Sequence, residues 1–323
     1  MPRAISTRVF TISAVSCRLA IVALALMTSL SGVAGGQTNP TIRIATTPID
    51  LGAQALYAND LGFFKRAGLD VELSVLTSGS VVASAVSGGS IDIGQANIVA
   101  LAAAHVNGLP FVIVAPAGYY TSKAPTTELI VAATSHVTAA KELNGKTIAV
   151  TALKDLNWVG IQSWLAQNGA TLDSVKYIEV PQSAVCNVLT SGRADAGILS
   201  EPYLSYALEN QCRVLAPTHD AIAKEFLVGA WFSTTDWAQA HPDLVNRFRA
   251  VMRETARWAN THHEESSKIL EKYMKLTAAP GMKRVPFAET IDRGQVQSLI
   301  DLAAKYGALK SSFPAGDLLL PDR

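Results

Sequence analysis

From Thr41 onward, short apolar runs rich in β-branched residues alternate with segments whose apolar positions recur at helical spacing. Residues 41–46, 70–76, 91–93 and 111–115 read as strands, with helices at 54–58, 81–86 and 98–106 between them. The alternation then starts again. Residues 129–133, 147–151, 176–180, 194–199 and 213–215 are strand candidates, separated by helices near 158–167, 184–189 and 203–209. Short connections between alternating elements predict mixed sheets covered by helices. Beyond about Trp231 the strands stop, and residues 243–260 form an amphipathic helix with Leu244, Phe248, Val251, Met252, Thr255 and Trp258 on one face. Its Pro242 sits where a helix tolerates proline. Helices at 266–274 and 294–306 follow. Two αβ units and a helical tail predict two lobes joined by chain crossings near residues 121–132 and 227–234, with the terminal helices packed back on the first lobe.

The N-terminal pattern sets the compartment. Arg3, Arg8 and Arg18 occur with no acid among them, then an uncharged stretch runs over residues 19–30, then Gly32-Val33-Ala34-Gly35. That is the order of parts in a signal peptide, with cleavage expected near Ala34, and the apolar stretch falls short of the ~20 residues a bilayer span needs. Cys17 precedes the apolar stretch and so is not placed to carry a lipid anchor. The expected protein is soluble, exported to the periplasm and monomeric. The whole chain has 27 Lys plus Arg against 26 Asp plus Glu, and without the three leading arginines the balance is slightly acidic. That leaves no basic surplus to neutralise phosphates and argues against a nucleic-acid partner. With 49% hydrophobic residues the chain is not disordered. Cys186 and Cys212 remain after export, and both a disulfide and a pair of buried thiols are compatible with their spacing. Neither belongs to a CxxC and the histidines are scattered apart from His262-His263, so no metal site is expected.

In an open αβ sheet, ligands bind beyond the carboxyl ends of the strands. Five polar loops fall there: 46–50, 77–80, 95–97, 154–158 and 200–203. The Thr77-Ser78-Gly79-Ser80 loop opens a helix with small hydroxyl residues, which suits an anion at the positive end of the helix dipole and equally suits ordinary capping. Tyr119, Tyr120, Trp158 and Tyr203 lie close to these loops and fit either a flat-walled cleft or the core. Glu201 favours an amine or another hydrogen-bond donor if it faces the cleft, and says nothing if it only caps its helix. No GxSxG, HExxH, Walker A loop or strand-linked GxGxxG is found, which points away from an enzyme and from a cofactor.

The run from Ala55 to Glu72, then Ser78-Gly79-Ser80, Gly89-Ser-Ile-Asp-Ile-Gly94, Gly192-Arg-Ala-Asp-Ala196 and Glu201-Pro-Tyr203, resembles the periplasmic solute-binding proteins of ABC importers. The subgroup it is similar to serves aliphatic sulfonates, taurine, nitrate and thiamine-type pyrimidines. The resemblance implies a type II-like fold of two αβ lobes: 41–122 with 227–320 as the first lobe, and 123–226 as the second. It also implies that the lobes close on a small-molecule ligand, which is delivered to a membrane permease driven by a separate ATPase. It places Thr47, Asp50, Ser78, Ser80, Asn97 and Tyr119 on the first lobe's wall, and Asn157, Trp158 and Glu201 on the second's. A small sulfonate or other anion is the expected ligand, with a pyrimidine or amine-bearing ring as the alternative. A related branch includes an enzyme that makes the thiamine pyrimidine with a cysteine-rich iron motif, which this chain lacks. An exported enzyme or a receptor-sensor partner on the same fold are the remaining alternatives.

Overall fold

A computed structural model describes residues 40–320 apart from 278 and 280; the expected export segment, residues 1–34, lies outside the described residues. The strands are β1 (Ile42–Thr46), β2 (Val71–Val75), β3 (Ile93–Asn97), β4 (Phe111–Pro116), β5 (Tyr119–Thr121), β6 (Thr127–Ala132), β7 (Thr147–Val150), β8 (Lys176–Glu179), β9 (Ala196–Ser200), β10 (Cys212–Ala216), β11 (Glu225–Leu227) and β12 (Gly229–Thr234). The helices are α1 (Gln54–Asp60), α2 (Phe63–Arg66), α3 (Gly79–Ser87), α4 (Ile98–Val106), α5 (Leu156–Gln167), α6 (Val185–Thr190), α7 (Tyr203–Glu209), α8 (Thr235–Ala240), α9 (Pro242–Ala259), α10 (His263–Met274) and α11 (Arg293–Lys305).

Two five-stranded sheets follow one plan. The first has the order β2-β1-β3-β12-β4, with β1 parallel to β2 and β3, and β12 antiparallel to β3 and β4. The second has the order β10-β6-β9-β7-β8, with β7 parallel to β8 and β9, and β6 antiparallel to β9 and β10. Between the sheets the chain crosses twice, and the crossing segments β5 and β11 pair antiparallel with Tyr120 opposite Phe226. The fold is the expected two-lobed αβ architecture with mixed sheets and two crossing strands.

The repeated Gly-x-x-Asp-x-Gly run explains how the plan is encoded twice. Gly89 and Gly192 both adopt φ +71°, the left-handed turn that a residue without Cβ takes at least cost. The acids that follow do the same work: Asp92 accepts the backbone N–H of Arg43 on β1 at 2.8 Å, and Asp195 accepts that of Thr147 on β7 at 2.9 Å. Each carboxylate thereby registers the central strand of its sheet, β3 or β9, against its parallel neighbour, β1 or β7. At the last position a Cβ on Gly94 would come within 2.6 Å of Val82, and one on Gly197 within 2.5 Å of Val185. Only glycine lets α3 and α6 lie this close to their sheets.

The C-terminal helices close the first lobe. Leu244, Phe248, Val251 and Met252 of α9 are buried against α1, α2 and the first sheet, where Phe64 stacks on Phe248 at 6.2 Å and Trp231 meets it edge-on at 5.6 Å. α11 packs Val296, Leu299, Ile300 and Ala303 into the same lobe from α4's side. The second lobe has a smaller core and carries a disulfide between Cys186 and Cys212, with Cα atoms 6.5 Å apart. Among the described residues, no helix is long and apolar enough to cross a membrane and no group of three His, Cys, Asp or Glu is placed to hold a metal ion.

Candidate functional site

A cavity of about 410 Å³ opens where the carboxyl ends of β1, β2, β3, β7 and β8 face one another across the two sheets. Four of the five polar loops contribute to it, and the fifth, 200–203, lines a contiguous inner pocket of about 50 Å³. Ile49, Leu51, Asn97 and Asn157 border both spaces.

Three helix starts point into this region. Ser78 caps α3, with its hydroxyl accepting the Val81 N–H at 3.4 Å and lying 2.9 Å from the Ser80 hydroxyl. Asn97 caps α4 through the Ala100 N–H at 2.9 Å, and Asp155 caps α5 through the Trp158 N–H at 3.0 Å. Capping uses one of the four backbone donors that each helix start leaves without an intrahelical partner, and the others stay directed along the dipole. Thr47 donates its hydroxyl to Gln95 Oε1 at 2.8 Å, fixing the amide beside the cavity. Gln95-Ala96-Asn97, read from sequence as a loop, is the end of β3. That strand pairs on both sides, with β1 and with β12, and is buried along most of its length, so pairing overrode the local polar signal.

The wall from the second sheet holds the charge. Lys154 lines the cavity with φ +59°, a left-handed conformation uncommon for a residue with a side chain. Among the described residues, no arginine lines it. Burial pushes the Asp155 carboxyl up to about 7, against the pull of the Trp158 and Asn157 backbone N–H groups. In the inner pocket burial likewise pushes Glu201 up to about 7, although Ser205 donates both its backbone N–H and its hydroxyl to the two carboxylate oxygens at 3.0 and 2.9 Å. Glu201 thus both faces the inner pocket and caps its helix. His219, 1% exposed, is pushed down to about 4 by burial and stays neutral, with Nε2 3.1 Å from Asn157 Oδ1. The two spaces therefore present uncharged polar groups and Lys154 at mildly acidic pH, and gain negative charge as the pH passes 7.

Of the nine residues singled out from sequence, Thr47, Ser78, Ser80, Asn97 and Asn157 line the main cavity, while Tyr119 and Glu201 line the inner pocket with Asn97 and Asn157. The Tyr119 hydroxyl donates away from the pocket to the Thr290 carbonyl at 3.2 Å.

Two of the nine are placed elsewhere. Asp50 is fully buried behind the wall. It accepts from Arg284 at 2.8 and 3.2 Å, from the Val285 N–H at 2.7 Å and from the Tyr57 hydroxyl at 3.0 Å. A carboxylate taken out of water needs such a cation, and this one comes from far along the chain. Trp158 turns its ring toward Tyr177, 5.9 Å away, and only its backbone N–H serves the α5 cap. Sequence reasoning passed over Gln182 and His219, which line the two spaces. Both follow strands, so the rule that marked the other loops applied to them, without a hydroxyl or glycine cluster to draw attention.

A family model described as NMT1/THI5 like matches residues 53–266. A curated protein of Brucella abortus, named only as a binding protein, is 23% identical over 280 residues, covering 82% of this chain and 85% of the relative. The alkanesulfonate-binding protein SsuA of Xanthomonas axonopodis, solved bound to MOPS, is similar with a TM-score of 0.71 at 17% identity, covering 87% of this chain and 98% of that one. The periplasmic nitrate-binding protein NrtA of Synechocystis is similar with a TM-score of 0.70 at 16% identity, covering 85% and 83%. These solved structures share the fold of periplasmic binding proteins, and on the match over most of its length the chain belongs to the NMT1/THI5-like family.

Proposed function

We propose that the protein is the exported, periplasmic solute-binding component of an ABC importer, and that it captures a small organic anion, a sulfonate or a related acid, between two lobes. The first lobe comprises residues 41–122 and 227–320, the second 123–226. The observation that carries this reading is the meeting of two uncharged, capped helix starts, at Ser78 and Asn97, with Lys154 on the opposite wall. An anion is stabilised by the first through backbone N–H groups and by the second through charge. Contacts from both lobes stabilise the closed state over the open one, which is how a ligand drives hinge closure. No bond is made or broken; the closed form is what a membrane permease recognises, and a separate ATPase supplies the energy.

A second reading has one observation in its favour. Glu201, Tyr119 and His219 in the inner pocket offer acceptors and a flat wall to an amine-bearing ring or a pyrimidine.

The test is a thermal-shift panel of sulfonates, nitrate, carboxylates, amino acids and pyrimidines on the chain lacking residues 1–34. A ligand at 100 times its Kd adds about 2.7 kcal/mol. An acid hit that weakens in Lys154→Met supports the anion reading. A pyrimidine hit that weakens in Glu201→Gln and is indifferent to Lys154→Met replaces it. No shift with any compound, in folded protein freed of carried-over ligand, rejects both.

A further inference from the structure

A second cavity, of about 350 Å³, lies in the first lobe between α9, the outer strand β4, and the chain just before α11, and shares no lining residue with the cleft. Its charge is arranged at a cost. Arg249 and Arg253 stand one turn apart on α9 and both line it. Arg293 lines it from the first turn of α11, where the helix dipole disfavours a cation. The one acid on the lining, Glu289, is already paired with Arg257 at 2.7 Å. Arg249 is held in place by donating Nε to the Val114 carbonyl at 2.6 Å. Among the described residues, neither Arg253 nor Arg293 has an ion-pair partner. The floor between them is apolar, formed by Met252, Ile291 and Leu320.

We infer that this groove is a second anion site, separate from the cleft, for a soluble organic polyacid: a compact polycarboxylate or phosphate whose charges engage Arg253 and Arg293 while its carbon body covers the floor. Guanidinium forks meet carboxylate and phosphate oxygens in pairs of parallel hydrogen bonds. A bound anion also offsets the unfavourable placement of Arg293 at a helix start, so occupancy stabilises the first lobe.

The experiment is isothermal titration of the chain lacking residues 1–34 with citrate and, separately, with inorganic phosphate. It compares the parent protein, Arg253→Ala, Arg293→Ala, the double variant, and Arg193→Ala as a control on the other lobe. Both target side chains are exposed, so the variants are expected to fold. Citrate binding that weakens about tenfold in each single variant, further in the double variant, and not in Arg193→Ala is the expected result. Phosphate should bind more weakly, lacking the body that covers the floor. No citrate binding by the parent protein, or equal loss in Arg193→Ala, overturns the proposal. Capture by phosphatidylglycerol vesicles that depends on Arg253 and Arg293, without binding of either soluble anion, overturns it in favour of a lipid surface.

Discussion

The two walls of the cleft are built from the same kind of element, a helix starting at the end of a strand, yet they differ in charge. On the first wall Thr47, Ser78, Ser80 and Asn97 are uncharged, and the one acid in the neighbourhood, Asp50, is withdrawn and matched to Arg284. On the second wall Lys154, Asp155 and Glu201 all carry ionisable groups, and neither acid has an ion-pair partner among the described residues. A buried carboxylate tied to a cation acts as structure; one without a cation is pushed by burial to hold its proton longer and so responds to pH. The first wall offers a fixed seat of uncharged groups, and the second sets how that seat is felt by a charged ligand.

The largest effect is expected where the first wall's support is broken. Arg284→Met leaves Asp50 buried without its cation and should cost about 3–5 kcal/mol of stability, read by urea denaturation of the ligand-free protein. A loss under 1 kcal/mol would mean that the Val285 and Tyr57 hydrogen bonds alone sustain the carboxylate. On the second wall, Lys154→Met should weaken an anionic ligand about tenfold, the scale of one charge-assisted hydrogen bond, and leave thermal stability nearly unchanged. Equal weakening of neutral ligands would show that the residue acts through shape.

The pH response separates the walls next. Asp155 keeps its proton in the fold up to about pH 7 but loses it in the unfolded chain near its ordinary value of 3.8. Its contribution therefore erodes stability as pH rises from the ordinary carboxylate range to about 7, and is level above that. Asp155→Asn retains a capping side chain and should raise the melting temperature at pH 8 far more than at pH 4. The same substitution should flatten a fall in anion affinity as pH rises through 7. Glu201→Gln should reduce whatever decline remains, and Ser78→Ala should not alter it. The smallest change belongs to that last variant: a cap bond of 3.4 Å is long, so Ser78→Ala should cost about 0.5 kcal/mol in thermal melts, the low end for a lost cap.

The parts of this arrangement that could be read from the chain are those written locally. Apolar runs marked the strands, and the position of polar loops after strands marked the cavity. The partners of buried charge could not be read in this way. Asp50 sits in the loop that supplies Thr47 to the cavity, and nothing near it in sequence distinguishes a residue facing the cleft from one turned to meet Arg284 across the lobe. Trp158 and Asn157 are neighbours on one helix turn, and their opposite directions depend on where Tyr177 stands. Lys154 was visible in its loop, but its left-handed backbone and its place opposite α3 and α4 exist only once both sheets have formed.

Strand β12 has a consequence for the order of assembly. It lies between β3 and β4, pairing Gly229 with Asn97 and Thr234 with Phe111, and it reaches that slot only after the chain has laid down the whole second sheet. Until residue 234 is available the first sheet has a gap between β3 and β4, whose facing edges stay unpaired. A nascent chain cannot finish its first half early; it stays pliable, and exposed to chaperones and proteases, until late residues arrive to close it.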